Sequence, residues 1–348
     1  MDDKPKEITA DAQVARVFEW RRGFNTIHLI DVGIKSGLVK ALAEAPGSTV
    51  AELAAKLTLH APYVETWCRT AYGMEILDAG AGPRWRLAPH MDVILANAAH
   101  PRYLGGYVRL GTEVAADDFQ RCVEALRTGV AKPFQGRGEG FAQAIAESTW
   151  GLQVVAAKKL LPELPGLAPR LDAGGAILEV GCGTGNLLLL LAKSFPKARC
   201  VGVDIDADSL TVARSKIEKA ALNARVEARQ GTVASSTQPG TFDAAVMVEV
   251  LHEIEPGARP TVIRESAAAL KSGGWMLIVD ETYPSTLEEM RKPEFKFPLM
   301  TGFEEMYWGN VLPTREEQET LLRAAGLTGP INRSIIGEGF TVLSVQKA

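Results

Sequence analysis

ILEVGCGTGNLLLLLAK, residues 177–193, decides how the chain is read. A short apolar run carrying Glu179 meets three alternate glycines, Gly181, Gly183 and Gly185, and a leucine-rich helical stretch follows. A residue without Cβ lets the backbone turn sharply and lets a ligand lie against the main chain. The spacing G-x-G-x-G is neither the G-x-G-x-x-G of dinucleotide enzymes nor the GxxxxGK[ST] of phosphate loops. About twenty residues on, the distance at which such folds place their ribose acid, VGVDID closes a second apolar run on Asp204. A carboxylate there can accept two hydrogen bonds from a ribose diol. Glu179 is expected to reach the loop or a cationic group of a ligand.

Outward from this stretch, AILEV, ARCVGVDI, FDAAVMVEV and WMLIVDE read as buried parallel strands. Helices over 187–194, 209–221 and 260–270 alternate with them. The fold class is therefore α/β, a Rossmann-like doubly wound sheet with its ligand crevice at the carboxyl ends of the strands. Upstream the pattern is mostly helical. HLIDVGIKSGLVKALA keeps helical spacing up to the APGS breaker at 45–48. Thr49 and Glu52 form a capping box before one helix, a second helix covers 63–74, and ILDAGAGPRWRLAP reads as two short strands around a glycine turn. This is a winged-helix pattern. The expected domains are a winged-helix/dimerisation domain over 1–110, a helical connector over 111–170 and the catalytic domain over 171–348. Within the connector, LPELPGLAPR (161–170) reads as the hinge.

Composition narrows the function. A net charge of −4 and 23% charged residues in 348 argue against a broad grip on nucleic acid or anionic lipid. No apolar run approaches the roughly 20 residues of a membrane helix. The start MDDKPKEITADAQ lacks the apolar core of a signal peptide. Cys68, Cys122, Cys182 and Cys200 lie far apart, which speaks for reduced thiols in the cytoplasm and against a metal site. The second helix of the winged-helix pattern sets Arg69 against Glu65, so it is no phosphate-binding face.

The glycine loop with Glu179 resembles the first motif of the class I S-adenosylmethionine-dependent methyltransferases, E/D-x-G-x-G-x-G. FDAAVMVEVLHEI and LKSGGWMLIVDE, following in order, extend the likeness. The resemblance implies S-adenosyl-L-methionine as cofactor, its methionine part along Glu179, Gly181, Gly183 and Gly185 and its ribose on Asp204. Ile205, Gly231, Thr232 and Glu249 complete the implied contacts. The acidic residue that the family carries after its third strand is missing here, where Gly231 is followed by Thr232. Adenine would then meet backbone groups or the Thr232 hydroxyl.

Along nearly its whole length the chain resembles the two-domain O-methyltransferases of the caffeate and hydroxyindole type. That group dimerises through its winged-helix domain, which also covers the acceptor pocket. His252 in VLHEI matches the family's base, and Asp280 in LIVDETYP its orienting carboxylate. The second such carboxylate falls on Leu312. A phenol has a pKa of about 10, so a base near neutral pH helps to remove its proton. Two readings of His252 stay open: a base, or a pocket residue that shapes the site. PEFKFPLMTGFEEMYWGNVLP supplies candidate acceptor contacts in Phe303, Met306, Tyr307 and Trp308, and Trp150, Phe134 and Phe141 could close the other side, with Tyr283 as a further candidate. The expected enzyme is a homodimeric O-methyltransferase of a small, fairly apolar acceptor. The alternatives are an N- or C-methyltransferase of the same fold and a winged-helix regulator that senses S-adenosylmethionine.

Overall fold

The computed structural model describes residues 8–133 and 137–348. Phe134 and the first residues of the polar start lie outside them. The chain divides into two compact units between Val114 and Ala115.

The first unit opens on a helix over Ala10–Lys35, capped by the Thr9 hydroxyl. The helical spacing of HLIDVGIKSGLVKALA does not give one helix. Gly37 takes φ +81, ends the helix, and a second one runs over Leu38–Glu44. Strand β1 (Ser48–Thr49) leads into a helix over Val50–Leu57, whose expected capping box is formed in both directions at 3.2 and 2.7 Å. A helix over Ala61–Gly73 follows, then the hairpin β2 (Leu77–Ala79) and β3 (Arg84–Leu87), with β1 on the far edge of β3. Helix, strand, two helices and hairpin follow one another as in a winged helix. Their core gathers Leu42, Leu53, Trp67, Cys68 and Trp85. Trp67 fits because Gly33 has no side chain; a Cβ there would stand 2.4 Å from the indole.

In the second unit helices over Ala116–Thr128, Glu139–Ser148 and Trp150–Val155 precede the sheet. The proline-rich stretch read as the hinge is packed. Leu161, Leu167 and Leu171 are fully buried and Trp275 donates to the Pro165 carbonyl. The strands are β4 (Ala176–Val180), β5 (Arg199–Asp204), β6 (Val226–Gln230), β7 (Phe242–Val248), β8 (Leu270–Glu281), β9 (Asn332–Ile336) and β10 (Phe340–Gln346). They form one seven-stranded sheet in the order β6-β5-β4-β7-β8-β10-β9. The first five of that order run parallel, and β10 returns antiparallel to β8. Every residue of β4 and β7 is buried, which is why their sequences are unbroken apolar runs rather than alternating ones. The chain leaves β4 toward β5 on one side, and β7 occupies the other. That switch opens a crevice at the carboxyl ends of β4 and β7. Among the described residues no helix is long and apolar enough to cross a membrane.

Candidate active site

The glycine loop lies at the carboxyl end of β4. Gly181 (φ +70) has Val250 against it, where a Cβ would stand 2.6 Å from the valine methyl, and Gly185 is met by Ala213 at 2.9 Å. These two glycines are for close packing. Gly183 (φ +45) differs, because nothing lies within 4 Å of where its Cβ would point. The backbone there faces open space, as a ligand lying against the main chain requires.

Asp204 at the end of β5 is tied to this loop. One of its oxygens accepts the Gly183 N–H at 2.7 Å and the other the Asp206 N–H at 2.9 Å. Each carboxylate oxygen has a further lone pair, so hydroxyls can still be accepted. Burial raises the Asp204 pKa, against which the two backbone donors work. Glu179 is 4% exposed, and its Oε2 has no hydrogen-bond partner. Burial, and then the charge of Asp204, push its pKa well above the ordinary range. A buried orphan acceptor beside a second carboxylate suits a cationic group, which satisfies both at once. Lys216 was not foreseen. Its ammonium reaches Thr184 at 3.1 Å and Asn186 at 2.7 Å and so pins the far side of the loop. It sits thirty residues away by sequence, on the next helix, and no local pattern marks it.

Ile205, directly after Asp204, is 66% exposed. The Gly231 N–H donates to the Asp204 carbonyl at 2.9 Å, which brings the end of β6 beside it. Thr232 is engaged locally, where its hydroxyl caps the helix Val233–Ser236 by accepting from Ser235 N–H.

The second cluster lies where β7 ends. Asp280 on β8 collects the N–H groups of Val250 (3.2 Å), Leu251 (2.7 Å) and His252 (3.4 Å) on one oxygen. Its other oxygen stands 2.7 Å from His252 Nδ1. Asp280 thus shapes the turn and orients the imidazole together. His252 is 3% exposed. Glu281 Oε2 stands 3.4 Å from Nδ1 and Glu305 Oε1 3.8 Å from Nε2. Burial would lower the pKa of His252, but the charge and hydrogen bond of Asp280, then Glu281 and Glu305, outweigh it and hold the pKa well above the ordinary value. Glu249 has φ +56, a strained setting for a side chain, and aims Oε1 at the same place without a partner. Glu249, His252, Asp280 and Glu281 bring ligand atoms within 4.8 Å of one another, a donor set able to hold a cation that the reading against a metal site did not foresee. Burial raises Glu253 to about 8 and Glu281 to about 7. Arg259, fully buried, donates to the carbonyls of Ile254 (3.0 Å), His252 (3.3 Å) and Val311, and pairs with Glu317 at 2.6 Å. It clamps the His252 turn to the segment that ends in Leu312.

The helix Lys296–Trp308 divides its large apolar residues. Phe303 and Met306 are 42% and 41% exposed, while Tyr307 and Trp308 are packed inside. Phe303 stacks on Phe119 at 5.7 Å, and the Trp308 indole donates to the buried Asp118 at 2.8 Å. Phe141 stands edge-on to Trp308 at 5.5 Å. Trp150 keeps a buried indole nitrogen without a partner. Tyr283 lies over Gly302, at 2.7 Å from the position its Cβ would take. Glu305 on this helix, which no motif marks, is, like Lys216 and Arg259, a residue near the site that sequence reasoning missed.

Known proteins match both the loop and the whole fold. Residues 177–274 match the family described as "Methyltransferase domain". A ubiquinone/menaquinone biosynthesis C-methyltransferase of Syntrophotalea carbinolica is 28% identical over 144 residues, 41% of this chain and 54% of that protein. The chain thus spans about half the length of this curated relative. An O-methyltransferase family protein from Burkholderia thailandensis has a structure that aligns with a TM-score of 0.73 at 19% identity, covering 96% of this chain and 98% of that one. The human N-acetylserotonin methyltransferase in complex with S-adenosylmethionine aligns with a TM-score of 0.76 at 17% identity over the full length of both. Residues 177–274 are thus similar to a methyltransferase domain, and the chain as a whole shares the fold of these methyltransferase structures.

Proposed function

We propose that this chain is an S-adenosylmethionine-dependent methyltransferase of a small, fairly apolar acceptor, with oxygen as the methylated atom. The observation that carries the reading is the open face of Gly183, flanked by Asp204 and the orphan oxygen of Glu179. The residues fit the cofactor. Asp204 would hold the ribose hydroxyls, Glu179 the methionine ammonium side and Ile205 the flat face of adenine. When bound, S-adenosylmethionine supplies an electrophilic methyl group. The protein's own contribution is alignment, since displacement at a methyl carbon needs chiefly the right geometry. The carboxyl ends of β4 and β7 put the loop and His252 on the same edge of the sheet. Phe303 and Met306 offer exposed apolar surface for an acceptor. With Thr232 committed to its cap, adenine recognition falls to backbone groups around Ile205 and Gly231.

The same reading makes the protein a cytoplasmic homodimer that binds no nucleic acid. The helix Ala10–Lys35 exposes Val14, Val17, Phe18, Trp20 and Phe24 at 55–64%, more apolar surface than a solvated helix carries. All four cysteines are free, as a reducing compartment keeps them. Arg69 is engaged by Glu65 at 2.7 Å rather than presented to phosphates. The test is methyl transfer from labelled S-adenosylmethionine to a panel of phenols, amines and acidic carbon compounds, beside a DNA gel shift. Label transfer to hydroxyl compounds supports the reading; DNA retention with no transfer to any acceptor overturns it in favour of a regulator.

A further inference from the structure

We propose that Lys216 is a positioning residue for the nucleoside: its ammonium, bonded to the side chains of Thr184 and Asn186, holds the glycine loop in the form that takes the ligand. The two contacts lie on either side of Gly185. Lys216 Nζ donates to Thr184 Oγ1 at 3.1 Å and to Asn186 Oδ1 at 2.7 Å. Between them Gly185 takes φ +76 directly before the helix Asn186–Ser194, and no side chain caps that helix end. Gly181 and Gly183 also have positive φ, so the loop is built from residues whose backbones lose the most freedom on ordering. Such a loop keeps one shape only where its surroundings fix it. Asp204 fixes it at the Gly183 N–H, and Lys216 fixes the two residues that flank Gly185.

The place is a costly one for an ammonium. Lys216 is half-buried, and burial lowers its pKa. Among the described residues no carboxylate pairs with it. The start of a helix is the positive end of its dipole, which opposes a cation beside it. Two neutral oxygens offset these costs only in part. The helix that carries Lys216, Ala207–Lys219, begins at its Asp206 cap, two residues after Asp204. Ala213 lies three residues before Lys216, hence on the same helix face, and meets Gly185, whose Cβ would stand 2.9 Å from the alanine methyl. One helix therefore joins the acid at the end of β5 to the far side of the loop, and Lys216 is its polar contact there. The identity of the ligand rests on the methyltransferase reading proposed above; the geometry of the clamp does not.

The experiment uses Lys216→Met in the full chain, which keeps the apolar stem and removes the ammonium. Hydrogen exchange of the unliganded protein, read by mass spectrometry on peptides covering residues 181–190, should be about tenfold faster in K216M, and Lys216→Arg should return part of the protection. Titration calorimetry with S-adenosylhomocysteine should find K216M about tenfold weaker than the wild type. The melting temperature should hold or rise, because a desolvated charge has been removed. In an Asn186→Ala background K216M should cost less affinity than in the wild type, as for two groups in contact. Unchanged exchange and affinity in K216M, or an equal cost in both backgrounds, overturns the proposal. So does an affinity that falls only together with the melting temperature, which would make Lys216 a support of the fold alone. A wild type without affinity for S-adenosylhomocysteine would sink the methyltransferase reading, and the exchange rates would still decide whether Lys216 holds the loop.

Discussion

At the scale of single residues, Asp204 and Gly183 make the sharpest statements. Asp204 fixes the loop through the Gly183 N–H, and in the function proposed above it would hold the ribose. Asp204→Ala should weaken S-adenosylhomocysteine about 10- to 100-fold, as the loss of hydrogen bonds to a charged group implies, and titration calorimetry reads it. An unchanged affinity removes the ribose assignment. The glycines separate by cause. Gly181→Ala should lower the melting temperature by meeting Val250, while Gly183→Ala should cost the nucleoside affinity more than it costs stability. Both of these residues, and His252 with Asp280, were legible in the sequence because they belong to short contiguous patterns. Glu305, Lys216 and Arg259 were not. Each acts at a distance, Lys216 on the loop some thirty residues before it and Arg259 on Glu317 nearly sixty residues after it, and only the packed helices bring them to the site.

At the scale of elements, local chemistry was readable where it closes on itself. The capping box at Thr49 and Glu52 spans three residues and formed as spacing predicts. Thr49→Ala should therefore destabilise the first unit by about 1 kcal/mol in denaturant unfolding; no effect would mean that the cap is frayed in solution. The buried strands β4 and β7 were legible as unbroken apolar runs. Two elements were not. The break at Gly37 hides inside a helical repeat, since one glycine does not interrupt the apolar spacing. The antiparallel β9 and β10 went unnamed: β9 is an edge strand with mostly exposed or half-exposed residues and no apolar run, and β10 is a buried apolar run of only seven residues at the end of the chain. The helix Lys296–Trp308 read as an acceptor wall; in it Phe303 and Met306 are exposed, while Tyr307 and Trp308 are buried.

At the scale of the whole molecule, buried acids give stability a direction with pH. Glu253 and Glu281 are raised by burial to about 8 and about 7, so the folded state holds protons that the unfolded chain releases above its ordinary value near 4.5. The native state then binds more protons than the unfolded one through that interval, and stability must fall as pH rises across it. His252, also raised, adds in the same sense above its ordinary value of 6.5. Melting temperatures of the unliganded protein should decline from about pH 5 to about pH 8; a rise across that window contradicts the buried cluster. The exposed apolar helix Ala10–Lys35 predicts a mass of twice 37.4 kDa in light scattering, and Trp20→Asp should return the monomer. The central claim is that the crevice at the glycine loop takes a sulfonium nucleoside. Titration calorimetry of the purified chain with S-adenosylmethionine tests it most directly. Saturable one-to-one binding that Asp204→Ala weakens at least tenfold is expected; no detectable heat from a folded chain that binds NAD in the same crevice would contradict it.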